Sequence, residues 1–251
     1  DATSDSYNKP HIHFSNRYNN QLLPQHVNLR LSKLLGSTAP NFSVNNNDIR
    51  VAESYMKVMN VEYLFFARNS PYVQPLKDIL GLKQVATVRE SSFDIVVLKT
   101  PWEGTYAAQI ECASLKSITT SESPLYLKTT NDTKLDEVVA KASDILYEDE
   151  SRFATTSFPE KDVIEITNKQ SGEDSCYILN QSYATGWKST NATITHSDYG
   201  MMIVKVAGNA ETVTLKHSWG NLLLIQAGAT VCALIVAVFL CILNRRKAHN
   251  E

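Results

Sequence analysis

Cys176-Tyr-Ile-Leu-Asn-Gln-Ser-Tyr183-Ala-Thr-Gly186-Trp187-Lys188 reads as an apolar strand, a tight turn and a second strand, with an aromatic on each side of the glycine. Glycine tolerates positive φ at such a turn. Trp187 then swings back onto the sheet and buries a large area. Packing is the first reading of that ring. A sugar platform is the second, with Trp187, Tyr183 or Trp102 stacked on a pyranose ring.

Working outward, short apolar segments surround this turn. The stretches 106–112, 153–156, 163–167, 192–195, 201–206 and 212–216 all have strand character, and 125–128 is a shorter candidate. Turn residues separate them at the spacing of a β-sandwich or curved sheet. One helix interrupts them, 135–147, with Leu135, Val138, Val139, Ala142, Ile145 and Leu146 on one side and an Asn131-Asp132 start. Upstream, Asn45 to Asp48 caps a helix over 49–59 whose apolar face is Val51, Tyr55, Val58 and Met59. A strand follows at 61–66, then a short helix at 75–80 stopped by Gly81, then a hairpin of 85–88 and 93–98. Leu29 to Leu35 forms a short helix ended by Gly36 and Pro40. The first twenty residues are polar and aperiodic and read as a loop.

Downstream, 222–243 is apolar or small apart from Gln226, and Asn244-Arg245-Arg246-Lys247 follows at once. A helix that long crosses the hydrocarbon core, at ~1.5 Å per residue against ~30 Å. The basic cluster places the C-terminus in the cytoplasm, and Trp219 stands where an aromatic anchor meets the headgroups. Residues 1–221 are therefore expected in a lumen or outside the cell, with the last strand close to the bilayer. The chain opens on Asp1 without a signal peptide. It is expected to be either processed or the tail of a longer membrane protein. The fold class is α+β: an irregular segment 1–45, a small α/β unit 46–100, a mostly antiparallel β-sandwich-like domain 101–221, one transmembrane helix 222–243 and a cytoplasmic tail 244–251.

A net charge of −2 gives no basic surplus for nucleic acid. Cys232 and Cys241 lie in the membrane run as apolar fillers. Cys112 and Cys176 lie outside it, where an oxidising lumen lets them pair; two buried free thiols fit the sequence equally well. Acceptor triplets for N-glycosylation begin at Asn41, Asn131, Asn180 and Asn191, all on the side assigned to the lumen. A chain so rich in Asn, Ser and Thr carries two or three such triplets by chance. His11-Ile-His13 puts two imidazoles on one face without a third ligand nearby. His196 and His217 are isolated, and Glu148-Asp149-Glu150 reads as a solvated turn at a helix end. No nucleophile elbow, P-loop, dinucleotide fingerprint or zinc motif is present. No catalytic residue, metal or cofactor is assigned.

The turn Tyr183-Ala-Thr-Gly186-Trp187-Lys188, the later Val213-Thr-Leu-Lys-His-Ser-Trp219 and the adjoining span resemble the C-terminal ectodomain of YfhO-like and related GT-C-type polytopic membrane proteins, including those labelled 6-pyruvoyl-tetrahydropterin-synthase-related. Met59-Asn60-Val61-Glu62-Tyr63-Leu64 is similar to an earlier strand of that family, and Lys99-Thr100-Pro101-Trp102 followed by Tyr106 to the segment that opens its β-domain. The likeness covers most of residues 45 to 243. It departs at Ala184-Thr185, where a proline is common, and in lacking an Asp-Gly hairpin after Trp187. The resemblance implies a non-catalytic, membrane-proximal domain supporting glycan or lipid-glycan handling. The catalytic carboxylates would lie in other spans of a full-length glycosyltransferase. The expected partners are the bilayer, those remaining transmembrane helices and a glycan or lipid-linked sugar. The other class is a single-pass type I protein with an adhesive or receptor ectodomain. Spans upstream of Asp1 favour the first class, and a lone signal peptide the second.

Overall fold

The computed structural model of the chain describes residues 13–16, 25–36, 44–89, 94–119, 132–147, 153–160, 162–167, 175–206 and 210–218. The elements run β1 (His13–Asn16), α1 (Gln25–Leu35), α2 (Asn46–Val58), β2 (Val61–Ala67), α3 (Val73–Leu80), β3 (Lys83–Arg89), β4 (Asp94–Lys99) and β5 (Ala107–Ile110). After a 3-10 turn at Ser114–Ser117 come α4 (Asp132–Tyr147), β6 (Thr156–Ser157), β7 (Val163–Thr167), β8 (Ser175–Ser182), β9 (Trp187–Lys188), β10 (Ala192–His196), β11 (Met201–Val206) and β12 (Thr212–His217). The described chain is α+β, with three antiparallel sheets ordered β1-β2-β4-β3, β10-β11-β8-β5 and β6-β7-β12-β9.

Local chemistry explains the element ends. The Asn45 side chain accepts a hydrogen bond from the Asn47 N–H at 3.0 Å, satisfying an orphan donor at the start of α2. Asn60, at φ 54, turns the chain from α2 into β2, a left-handed position that asparagine tolerates better than most residues. Gly81 closes α3 at φ 69, its N–H donating to the Lys77 carbonyl.

Two cores organise these elements. In the first, Leu31, Tyr55, Leu64, Leu98, Val139, Ile178 and Ile203 come together from the helices, the β2–β4 sheet and one face of the β8–β11 sheet. In the second, Tyr177, Leu179, Met202 and Val204 from the opposite face meet Ile164, Ile166, Val213 and Leu215. Side chains alternate between the faces of a strand. Cys176 and Ile178 therefore enter the first core, and Tyr177 and Leu179 the second. The β8–β11 sheet is thus covered on both sides, which explains why β8 is buried from Ser175 to Gln181 and carries the apolar run Cys176 to Leu179 at its centre. The segments 46–100 and 101–221 share the first core.

Three differences from the sequence reading have physical causes. The first twenty residues are not all loop: β1 pairs with β2, His13 opposite Phe65 and Phe14 opposite Leu64. A polar strand has no period of its own to announce it, because the backbone of β2 supplies the template. α1 starts at Gln25 rather than Leu29, and the additional turn buries Val27 completely. On α2, Ile49, Ala52 and Met56 join Tyr55 and Val58 in the core, while Val51 is half-buried. The candidate strand 125–128 and the acceptors Asn41 and Asn131 lie outside the described residues. The apolar run 222–243 lies outside them too. Among the described residues no helix is long and apolar enough to cross a membrane.

Candidate functional site

The crossover from β8 to β9 carries the chain from the central sheet to the outer one. Ser182 pairs with Met201 at the end of β8. The Tyr183 N–H donates to the Gly200 carbonyl at 2.9 Å, and its ring lies 5.3 Å from the His196 ring. Ala184 and Thr185 are exposed. The turn closes with the Trp187 N–H donating to the Ala184 carbonyl at 3.2 Å. Trp187 then faces His217 in register, their rings edge to face at 5.0 Å. Both Tyr183 and Trp187 are half-buried against the second core.

Gly186 is needed for a different reason from the one the sequence suggests. Among the described glycines only Gly81 and Gly200 have positive φ. At Gly186 a Cβ would lie 2.5 Å from His217 Nε2 and 2.7 Å from the Ser218 carbonyl oxygen. Close approach of β12, not a left-handed turn, excludes a side chain. The Ser218 N–H donates back to the Gly186 carbonyl at 2.9 Å and ties the crossover to the end of β12.

Tyr183 and Trp187 come together, but Trp102 does not join them. It packs on the first core, on the other face of the central sheet. There Lys57 Nζ sits 5.5 Å from its ring centroid and 5.6 Å from that of Tyr147, with an ion pair to Glu53 at 2.9 Å. A cleft beside this cluster, lined by Lys57, Tyr147, Phe153 and Asn180, has room for about one water and is too small for a sugar ring.

Cys112 and Cys176 are joined by a disulfide, with Cα atoms 5.2 Å apart, across the edge of β5 and β8. Of the described acceptor asparagines, Asn191 is partly exposed and its Nδ2 donates to the Thr212 carbonyl at 2.9 Å. Asn180 is only 5% exposed within β8, whose neighbours leave no room for a glycan. His13 lies in β1, and His11 is outside the described residues. Among the described residues no three His, Cys, Asp or Glu side chains are grouped to hold a metal.

Two polar features had no signal in the sequence. Arg30 on α1 clasps Asp136 on α4, Nη2 to Oδ2 at 2.6 Å and Nε to Oδ1 at 3.0 Å, and the Tyr55 hydroxyl on α2 donates to the same carboxylate at 2.7 Å. The hydrogen bond to Asp136 raises the Arg30 guanidinium further, against the opposing effect of burial. Burial, aided by Asp136, pushes the Tyr55 hydroxyl up. In the β10–β11 turn, Asp198 is fully buried and its N–H donates to the Ile118 carbonyl at 2.6 Å. Only sequence partners a hundred residues apart could have announced the first of these, and periodicity does not carry such pairings.

Comparison with protein-family models, with curated proteins and with solved structures finds no match to this chain.

Proposed function

We propose that residues 1–221 are a non-catalytic domain on the lumenal or extracellular side of a membrane, carried by a transmembrane helix at 222–243. It would belong to a polytopic protein related to GT-C-type glycosyltransferases and support the handling of a glycan or lipid-glycan. The observation that carries the compartment is the Cys112–Cys176 disulfide, because such bonds persist in oxidising compartments and are rare in the cytosol. The membrane part is supported by the apolar run, the basic cluster after it and the short connection from β12. The glycan part is supported by the resemblance of the Tyr183–Lys188 turn, with Tyr183 and Trp187 as the contacting rings. Trp102 is a separate candidate contact on the other face of the sheet.

The test uses the native protein in sealed vesicles. Added protease trims 244–251 and spares residues 1–221, and thiol reagents label Cys112 and Cys176 only after reduction. Digestion of the domain in sealed vesicles, or labelling without reduction, overturns the compartment. Incubation with polyprenyl-phosphate sugar donors is expected to give no transfer by this segment. Turnover that disappears on changing one of its own Asp or Glu residues overturns the non-catalytic reading.

A further inference from the structure

We infer that the end of the molecule formed by Tyr183, Trp187, Lys188 and Lys216 seats on the headgroup phosphates of the bilayer that the 222–243 run enters. This rests on the membrane-anchored reading above, but its geometry comes from described residues. β8 and β10 both finish at this end, at Ser182 and His196, and β12 finishes there at His217. Ser218 is bonded to Gly186, so the chain leaves the fold beside the crossover. Residues 219–221 alone separate Ser218 from the apolar run. Three residues reach at most ~10 Å when extended, close to the depth of one headgroup layer. This end therefore stays within reach of the surface, and its own side chains decide whether it makes contact.

The chemistry of the end matches what it would meet. Along β12, Val213 and Leu215 are buried, while Thr214 and Lys216 point outward. Lys216 lies directly opposite Lys188, which is also exposed. Like charges facing each other across a strand pair destabilise a sheet. Neither lysine forms an ion pair with another described residue. Phosphate oxygens between the two ammonium groups remove that repulsion and accept charge-assisted hydrogen bonds. The crossover itself, Ser182 to Trp187, carries no charge. Its half-buried Tyr183 and Trp187 are the residue types that settle at headgroup depth. Lys205 gives the contrast. It is exposed at the far end of β11, opposite Cys176, and would stay in water.

The full chain is reconstituted into vesicles of phosphatidylcholine with phosphatidylglycerol. Alkaline carbonate is applied first, and release of the chain from the pellet would overturn the anchored reading itself. With the chain retained, two measurements decide the inference. In the unaltered protein, an amine-acylating reagent is expected to modify Lys188 and Lys216 several-fold more slowly in the vesicles than in detergent, while the rate at Lys205 is the same in both. In a Trp102→Phe/Trp219→Phe chain, Trp187 is the sole indole emitter, and a headgroup-attached nitroxide lipid is expected to remove most of its emission. Adding Lys188→Glu and Lys216→Glu should restore much of that emission. A retained, unaltered chain in which Lys188 and Lys216 react as fast in the vesicles as in detergent overturns the inference and leaves the anchor standing. So does Trp187 emission untouched by the headgroup quencher.

Discussion

At the scale of single residues, the crossover makes glycine the more demanding partner and tryptophan the less. Trp187 is only half-buried. Trp187→Ala should therefore cost about 1–2 kcal/mol, well short of a fully buried ring. Gly186→Ala forces a methyl against His217 and the Ser218 backbone, and overpacking of that kind costs about 1–3 kcal/mol. Thermal melts of the two variants should place Gly186→Ala at or below Trp187→Ala. A Gly186→Ala protein that melts like the parent would show that β12 can move aside. If Trp187→Ala melts like the parent yet loses glycan binding, the ring is a sugar contact and not a packing element. The same scale separates the acceptor asparagines. Asn191→Gln should remove an endoglycosidase-sensitive mass from the protein made in a glycosylating cell, and Asn180→Gln should not, because Asn180 is enclosed by its strand neighbours. A mass lost on changing Asn180 would mean that modification precedes folding of β8.

At the scale of elements, the helices are held by charge as well as by apolar contact. Asp136 accepts from Arg30 on α1 and Tyr55 on α2, at 18% side-chain exposure, whereas Asp132 touches the same arginine at 3.3 Å and 42% exposure. Asp136→Ala leaves two polar groups without their acceptor and should cost about 1.5–3 kcal/mol. Asp132→Ala removes an exposed pair and should cost no more than about 1 kcal/mol. Denaturant midpoints of the two variants measure this directly, and equal costs would contradict it. This level also shows what the sequence could and could not convey. β2, β4, β7 and β11 were legible because each carries its own apolar pattern, and α2 and α3 because Asn45 and Gly81 mark their ends. β1 was not, since its strand character is borrowed from β2, whereas the two-residue β9 was marked by the turn before it. The pairing of Arg30 with Asp136 spans 106 residues, and no local pattern encodes a partner that distant. Of the aromatic candidates, adjacency in sequence brought Tyr183 and Trp187 together. Trp102 packs on the first core from the bend between β4 and β5.

At the scale of the whole molecule, buried hydroxyls set an alkaline limit. Tyr55, Tyr106 and Tyr199 are all held protonated above the usual tyrosine range, chiefly by burial. Unfolded tyrosine ionises near pH ~10. The stability these groups contribute is thus fully present below that pH and is lost as the pH rises above it. Each can remove about 1.4 kcal/mol per pH unit. Denaturant melts should show a plateau at neutral pH and a steep fall beyond ~10, with tyrosinate absorbance from these three appearing together with unfolding. A titration in which all 11 tyrosines ionise near their ordinary value while the fold persists would contradict this.

The covering of β8 on both faces also sets an order of events during synthesis. β8 pairs with β5 on one side and β11 on the other, and its second face, which packs on β7 and β12, waits for β12. β12 leaves the ribosome about a hundred residues after β5, on the order of ten seconds later. Cys112 and β5 meet their partners earlier, when β8 emerges with Cys176, 64 residues after Cys112. The first sheet is different, since β2, β3 and β4 are neighbours in the chain and close early. Nascent chains stalled before β11 should therefore hold a protease-resistant front half and a back half that chaperones and oxidising enzymes can still reach.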